Sequence, residues 1–225
     1  QFFFGNKDCF INEMADLCEK VGADVRKLSK AIGLDSRIGE KFLNPGPGFG
    51  GSCFPKDILA LNNTAQKNNI DLSLVNSTIV SNQKRKIRMA EKIISALDGN
   101  ASGKRIAILG LAFKGNTDDI RYSPSITIIK ELIKKGALIQ AYDQEAITNT
   151  KRELGENSAI NYFRNSDDAI KNSDAIIIAT EWKEFKNLDL EKIKSLQQGN
   201  IIIDLRNMLD AKKAQDYGFK YFGIG

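Results

Sequence analysis

Apolar residues first recur at helical spacing. Phe10, Ile11, Met14, Leu17, Cys18 and Val21 fall on one stripe, and Gly22 stands where a helix stops. A second helix is predicted from about 24 to 32, with Asp24 as N-cap and Gly33 as its stop. Between Asn44 and Pro55 the periodicity is lost: Gly46, Gly48, Gly50 and Gly51 interleave with Pro45 and Pro47, the composition of an extended loop that another group can approach closely. Pro55 suits the first turn of a third helix carrying Ile58, Leu59 and Leu61, which ends at Asn68 and Asn69. From Leu74 to Leu97 the set Leu74, Val75, Ile79, Val80, Ile87, Ile93, Ile94 and Leu97 predicts one long amphipathic helix.

The pattern changes after Asp98-Gly99-Asn100-Ala101-Ser102-Gly103, the best candidate boundary in the chain. Short apolar runs at 105–109, 138–142, 175–179 and 201–204 alternate with helix-like stretches such as 125–135. That alternation predicts a parallel, doubly wound sheet. The expected fold is therefore α/β, with an all-helical region over residues 1–99 followed by a doubly wound, parallel-sheet, Rossmann-like domain over 104–225.

Composition narrows the chemistry. The chain has 225 residues, 42% of them hydrophobic and 27% charged, with a mean hydropathy of −0.30. These values describe an ordinary globular protein with no apolar run of membrane-spanning length, and the start Gln1-Phe2-Phe3-Phe4-Gly5 lacks the pattern of a signal peptide. A cytoplasmic location is the expectation. Cys9, Cys18 and Cys53 form no CxxC pair and are odd in number, which suits a reducing compartment. The absence of histidine excludes Cys-His and Ser-His hydrolases and every histidine-ligated metal site. The net charge of +5 is spread along the chain, and its densest cluster, Lys84, Arg85, Lys86 and Arg88, reads as a solvated helix face rather than a nucleic-acid surface.

One segment concentrates reactive groups: Gly48-Phe49-Gly50-Gly51-Ser52-Cys53-Phe54-Pro55-Lys56-Asp57. Glycines allow close backbone approach, and Cys53 stands just ahead of a predicted helix start, where amides and dipole favour a thiolate. Lys56 adds a positive charge, and Asp57 can order a water or accept a proton. Local chemistry alone leaves an inert turn cysteine as the alternative. At the head of the second region, Gly110 follows a buried strand, but Gly110 and Gly115 do not complete GxGxxG, so a dinucleotide site there is disfavoured.

The segment GFGGSCFPKD resembles the active-site motif of the UDP-glucose/GDP-mannose dehydrogenase family. Arg37-Ile38-Gly39-Glu40-Lys41-Phe42-Leu43-Asn44-Pro45-Gly46, the Phe10-Ile11-Asn12-Glu13 helix and the stretch from Phe113-Lys114 to Pro124 match that family in the same order, so the resemblance covers nearly the whole chain. It implies a four-electron oxidation of a nucleotide sugar's primary alcohol to a carboxylate, with NAD as cofactor and a cysteine carrying a thiohemiacetal and then a thioester. It assigns Cys53 as the nucleophile and Asp57 to ordering or activating water. Lys56 and Arg121 fall near NAD, while Phe42, Leu43, Asn44, Pro45, Gly46 and Gly50 line the sugar-nucleotide pocket. Lys114 contacts substrate, and Arg206, in Asp204-Leu205-Arg206-Asn207, is a looser match at a ligand-facing strand end. Arg37 resembles an arginine that reaches a neighbouring subunit's ligand, which implies a homodimer.

The resemblance also implies parts that the chain lacks. Nothing before Phe10 can form a GxGxxG domain, the family's catalytic lysine falls before residue 1, and its asparagine partner falls at Gln1. The chain therefore reads as a fragment without its NAD-binding domain, inactive unaided. Ser52-Cys53 favours the UDP-glucose and GDP-mannose branches, and Asn44-Pro45-Gly46 leans towards UDP-glucose. The alternatives are another nucleotide sugar, or a non-catalytic module for sugar-nucleotide binding or dimerisation.

Overall fold

The computed structural model describes residues 2–225. Gln1, which aligns with the family's asparagine, lies outside the described residues. Four helices come first: α1 (Phe2–Val21), α2 (Val25–Gly33), α3 (Phe54–Lys67) and α4 (Ser73–Ala96). Helix α1 begins eight residues ahead of the apolar stripe that predicts it, because its first two turns bury little beyond Gly5 and Cys9. Asp24 caps α2 as expected, accepting from Arg26 N at 2.9 Å. Pro55 sits in the first turn of α3.

Beyond Asp98 and Gly99, both at positive φ, the chain enters the sheet. Strands β1 (Arg105–Leu109), β2 (Leu138–Tyr142), β3 (Ile160–Tyr162), β4 (Ala175–Ile178), β5 (Ile201–Asp204) and β6 (Lys220–Phe222) pair in the order β3-β2-β1-β4-β5-β6, all parallel. Helices α5 (Pro124–Lys134), α6 (Ile147–Leu154), α7 (Ser166–Ile170), α8 (Lys183–Lys186), α9 (Leu190–Leu196) and α10 (Ala211–Asp216) make the crossovers. The apolar runs at 105, 138, 175 and 201 are the four central strands. Edge strands β3 and β6 carry polar or half-exposed residues and leave no apolar run to find.

Alternation along the strands explains why both faces are covered. Ile106 and Ile108 of β1 point into one core with Ile177 and Ile203, while Ala107 and Leu109 point into another with Ile176, Ile178 and Ile202. The first core reaches α4 through Met89, Ala90 and Ile93 and α1 through Ile11, Ala15 and Cys18, so the helical region is seated on one face of the sheet. Each fully buried side chain such as Ile11 or Ile93 contributes roughly 1.5–3 kcal/mol to that seating.

A buried carboxylate organises the loop after β1. Asp143, 1% exposed at the end of β2, accepts from Leu111 N (2.7 Å), Ala112 N (3.1 Å) and Trp182 Nε1 (3.1 Å) with one oxygen, and from Glu145 N and Ala146 N (both 2.9 Å) with the other. Replacing it removes the acceptor of five donors, four of them on buried residues. Asp143→Ala is expected to destabilise the fold by about 3–5 kcal/mol, read as a lowered midpoint in urea unfolding, with Asp143→Asn less affected because its carbonyl oxygen still accepts.

Candidate active site

The glycine loop is held on two sides. From α1, Asn12 Oδ1 accepts from Gly46 N at 2.8 Å; from α4, Arg85 Nε donates to Gly46 O at 2.8 Å. Asn82 grips Phe49 with both ends of its amide, at 2.9 Å to the N–H and 3.1 Å to the carbonyl. Across the loop, Gly51 N donates to Arg121 O at 2.7 Å, and Lys86 Nζ donates to Tyr122 O at 2.8 Å. The fit leaves no room for side chains: a Cβ on Gly50 would lie 2.5 Å from Tyr122 O, and Gly51, at φ +94°, would meet the Phe113 ring at 2.8 Å.

The solvated face expected for Lys84, Arg85, Lys86 and Arg88 holds for Lys84 and Arg88, which are exposed, and fails for Arg85 and Lys86. Arg85 and Lys86 are 4% and 2% exposed, because the loop and α1 lie over them. Asp16 pairs with both Arg85 and Arg88. Burial lowers the Lys86 pKa to about 8.

Beneath the loop opens a cavity of about 340 Å³. It gathers Phe42, Asn44, Gly46, Gly50, Lys114 and Arg206, six of the residues singled out from sequence. It also contains Asp8, Asn12, Phe49, Phe54, Phe113 and Glu181, which the sequence did not mark as ligand contacts. Phe54 meets Phe49 edge to face with centroids 4.5 Å apart, and Phe42 stacks on Phe4 at 4.2 Å. Arg206 is fixed by Ala179 O (3.0 Å), Phe113 O (3.2 Å) and Glu181 Oε2 (3.1 Å), while Nη1 faces Gly46. Leu43 does not line the cavity: its side chain turns into the core, and its carbonyl accepts from Ser29 Oγ at 2.5 Å. Pro45 is half-buried outside the lining, and Arg37 is exposed and paired with Asp35 at 2.6 Å.

Cys53 is the exposed cysteine; Cys9 and Cys18 are buried. It is the residue before α3, with no side-chain cap hydrogen bond and Sγ 3.6 Å from Ser52 Oγ; it is not itself in the cavity lining, which its neighbour Phe54 joins. Asp57 lies one helical turn on, its N–H donating to Cys53 O at 2.9 Å, and its carboxylate is 3.8 Å from Lys56 Nζ. Burial pushes the Cys9 thiol up to about 11. The Arg121 guanidinium, held by Asp119 at 2.8 Å, has its pKa raised first by that hydrogen bond and also by the Asp119 charge.

The crevice of the sheet offers no place for a dinucleotide. The amides of Leu111 and Ala112 are taken by Asp143, and a Cβ on Gly110 would lie 2.4 Å from Thr180 Cβ. The nicotinamide cofactor implied by the resemblance therefore does not fit this sheet. The rim around Cys53, where Lys56 and Arg121 are 70% and 65% exposed, fits an anionic cofactor approaching from outside the chain.

The UDP-glucose/GDP-mannose dehydrogenase family model matches this chain twice, through its central domain over residues 3–84 and its UDP binding domain over residues 107–211. The chain belongs to the UDP-glucose/GDP-mannose dehydrogenase family. It is 50% identical over 223 residues to a UDP-glucose 6-dehydrogenase of Rickettsia conorii, covering 99% of this chain and 51% of that protein. To the UDP-glucose 6-dehydrogenase TuaD of Bacillus subtilis it is 42% identical, covering 99% of this chain and 48% of that one. Among solved structures it is similar to a UDP-glucose dehydrogenase from Pyrobaculum islandicum, with a TM-score of 0.84 and 30% identity, covering 100% of this chain and 48% of that one. The chain spans about half the length of the curated relatives it matches. Its cavity lies where residues of the family's central domain, from Asp8 to Phe54, meet Phe113, Lys114, Glu181 and Arg206 of its UDP binding domain.

Lys86 makes the clamp sensitive to pH in one direction. Its folded pKa is lowered, so between about 8 and 10.5 the unfolded chain holds more protons than the folded one, and stability rises with pH. The gain approaches about 1.4 kcal/mol per pH unit. Chemical denaturation of wild type and Lys86→Met from pH 8 to 10 is expected to show a stability difference that grows with pH in favour of wild type.

Proposed function

We propose that this chain supplies the nucleophile and the nucleotide-sugar pocket of an NAD-dependent nucleotide-sugar dehydrogenase that oxidises UDP-glucose to UDP-glucuronate. The observation that carries this reading is the exposed Cys53, chain neighbour of Phe54 in a cavity whose walls also carry Lys114 and Arg206. Those two cations suit a diphosphate, and the aromatic wall of Phe42, Phe49 and Phe54 suits the flat and apolar faces of a nucleoside and a sugar ring. Residues 1–99 then act as the region carrying the nucleophile, and 104–225 as the nucleotide-binding domain.

In this reading the Cys53 thiolate adds to the C6 aldehyde left by the first oxidation and forms a thiohemiacetal. After the second oxidation the resulting thioester is hydrolysed, with Asp57 holding the attacking water, and the thiolate is regenerated. NAD, when bound, takes one hydride in each oxidation. The balance is one alcohol, two NAD and one water giving one carboxylate, two NADH and three protons. Lys56 and Arg121, the latter fixed by Asp119, are the cations that would hold the cofactor's phosphates. The relatives are about twice as long as this chain, so the cofactor domain is supplied from outside these residues.

Arg37, unattached to the cavity of its own chain, is assigned to a neighbouring copy's ligand in a homodimer. Exposed Phe3, Phe10 and Leu17 stand at two-turn intervals on α1, with Val80 and Ile87 at the same interval on α4, giving two apolar stripes for such an association. Among the described residues, no helix is long and apolar enough to cross a membrane.

With a dinucleotide-binding domain supplied upstream, two NADH per uronate are expected. A yield of one, or none with any nucleotide sugar, would leave only a binding module. Cys53→Ser is expected to reduce uronate formation by about 1,000-fold, and a limiting thiol reagent on the folded chain should label Cys53 ahead of Cys9 and Cys18. Undiminished turnover in the serine variant would remove Cys53 from the mechanism. Sedimentation of the chain is expected to give a dimer, and Phe10→Glu a monomer; a wild-type monomer at high concentration sinks the shared site.

A further inference from the structure

Asp8 stands apart from the other residues of the cavity. It is carried on α1 one turn before Asn12, and both side chains line the same cavity. Among the described residues its carboxyl group receives no hydrogen bond and no ion pair. Arg206 is engaged by Glu181, Ala179 and Phe113, and Lys7 donates to Ile38 O (2.9 Å) and Gly39 O (3.0 Å). An acid at the wall of a pocket for an anionic ligand is a liability when ionised, because it brings like charges close together. As a neutral acid it becomes an asset, since it gains an O–H that a phosphate oxygen can accept.

We propose that Asp8 is a ligand-recognition residue that presents a carboxylic O–H to the diphosphate of a nucleotide sugar, beside the cations Lys114 and Arg206. This rests on the nucleotide-sugar reading of the cavity. The groups facing Asp8 are Lys7 and Cys9 on α1, Lys114 after β1, Glu181 after β4 and Arg206 after β5. Burial dominates over Arg206 and Lys7 and raises the Asp8 pKa to about 7 in the free chain. An entering anion raises it further, so binding takes up a proton wherever the free acid is ionised.

The test is calorimetric titration of the 225-residue chain with UDP-glucose from pH 5.5 to 8.5, in pairs of buffers differing in ionisation enthalpy. The diphosphate diester of this ligand keeps both charges throughout that range, so a proton taken up belongs to the protein. About one proton per ligand is expected at pH 8, with affinity falling about tenfold per pH unit above 7 and levelling below 6. Asp8→Asn, which keeps a donor but cannot titrate, should abolish both the uptake and the slope, whereas Asp8→Glu should retain them. Binding without proton uptake in wild type overturns the role of Asp8 and leaves the substrate reading intact, whether or not the variants fold. Uptake undiminished in Asp8→Asn overturns it equally, and no UDP-glucose binding at any pH overturns both readings.

Discussion

The site depends on a clamp made by one helix. Asn82, Arg85 and Lys86 of α4 are all buried, and each spends its polar head on backbone: Asn82 on Phe49, Arg85 on Gly46, Lys86 on Tyr122. Two of these grips hold the glycine loop, and the third holds the segment that closes over it. Burying a lysine and an arginine is unfavourable unless they are well bonded, so the loop conformation and the burial of these two cations stand or fall together. A loop rich in glycine loses more backbone freedom on ordering than any other, and these charge-assisted bonds offset that loss. Asp16, paired with both Arg85 and Arg88, neutralises the helix from the α1 side.

The sequence announces the helices, the four central strands and the reactive loop, because each leaves a local signature: a 3.6-residue stripe, a short β-branched run, glycine with proline. It misreads Arg85 and Lys86, because charge on a helix predicts a solvated face and only tertiary context reveals what covers it. It passes over Asp8 for a related reason. One acid among the polar positions of α1 carries no periodic signal, and its place in the cavity is set by the docking of the UDP binding domain. Strands β3 and β6 escape because edge strands need not be apolar. Leu43 and Pro45 fall within a correctly located segment, yet alternate residues of an extended chain point opposite ways, and a motif does not say which way.

The wall of the cavity that comes from the sheet is positioned by the same device used twice. At the end of β2, buried Asp143 fixes the amides that lead into Phe113 and Lys114. At the end of β5, fully buried Asp204 accepts from Arg206 N (3.0 Å), Met208 N (2.7 Å), Leu209 N (2.8 Å) and Tyr221 Oη (3.1 Å), fixing the turn that carries Arg206. In a dinucleotide-binding sheet the amides after the first strand are left free for phosphate. Here carboxylates from within the chain satisfy such amides, and the loops they brace reach beyond the crevice to meet the helical region. The parallel strand order is kept, and the side chains that reach the cavity from the sheet, Lys114 and Arg206, stand at the ends of those braced loops. The sheet, its own crevice closed, thus contributes one wall of the cavity, and the clamped loop with α1 contributes the other.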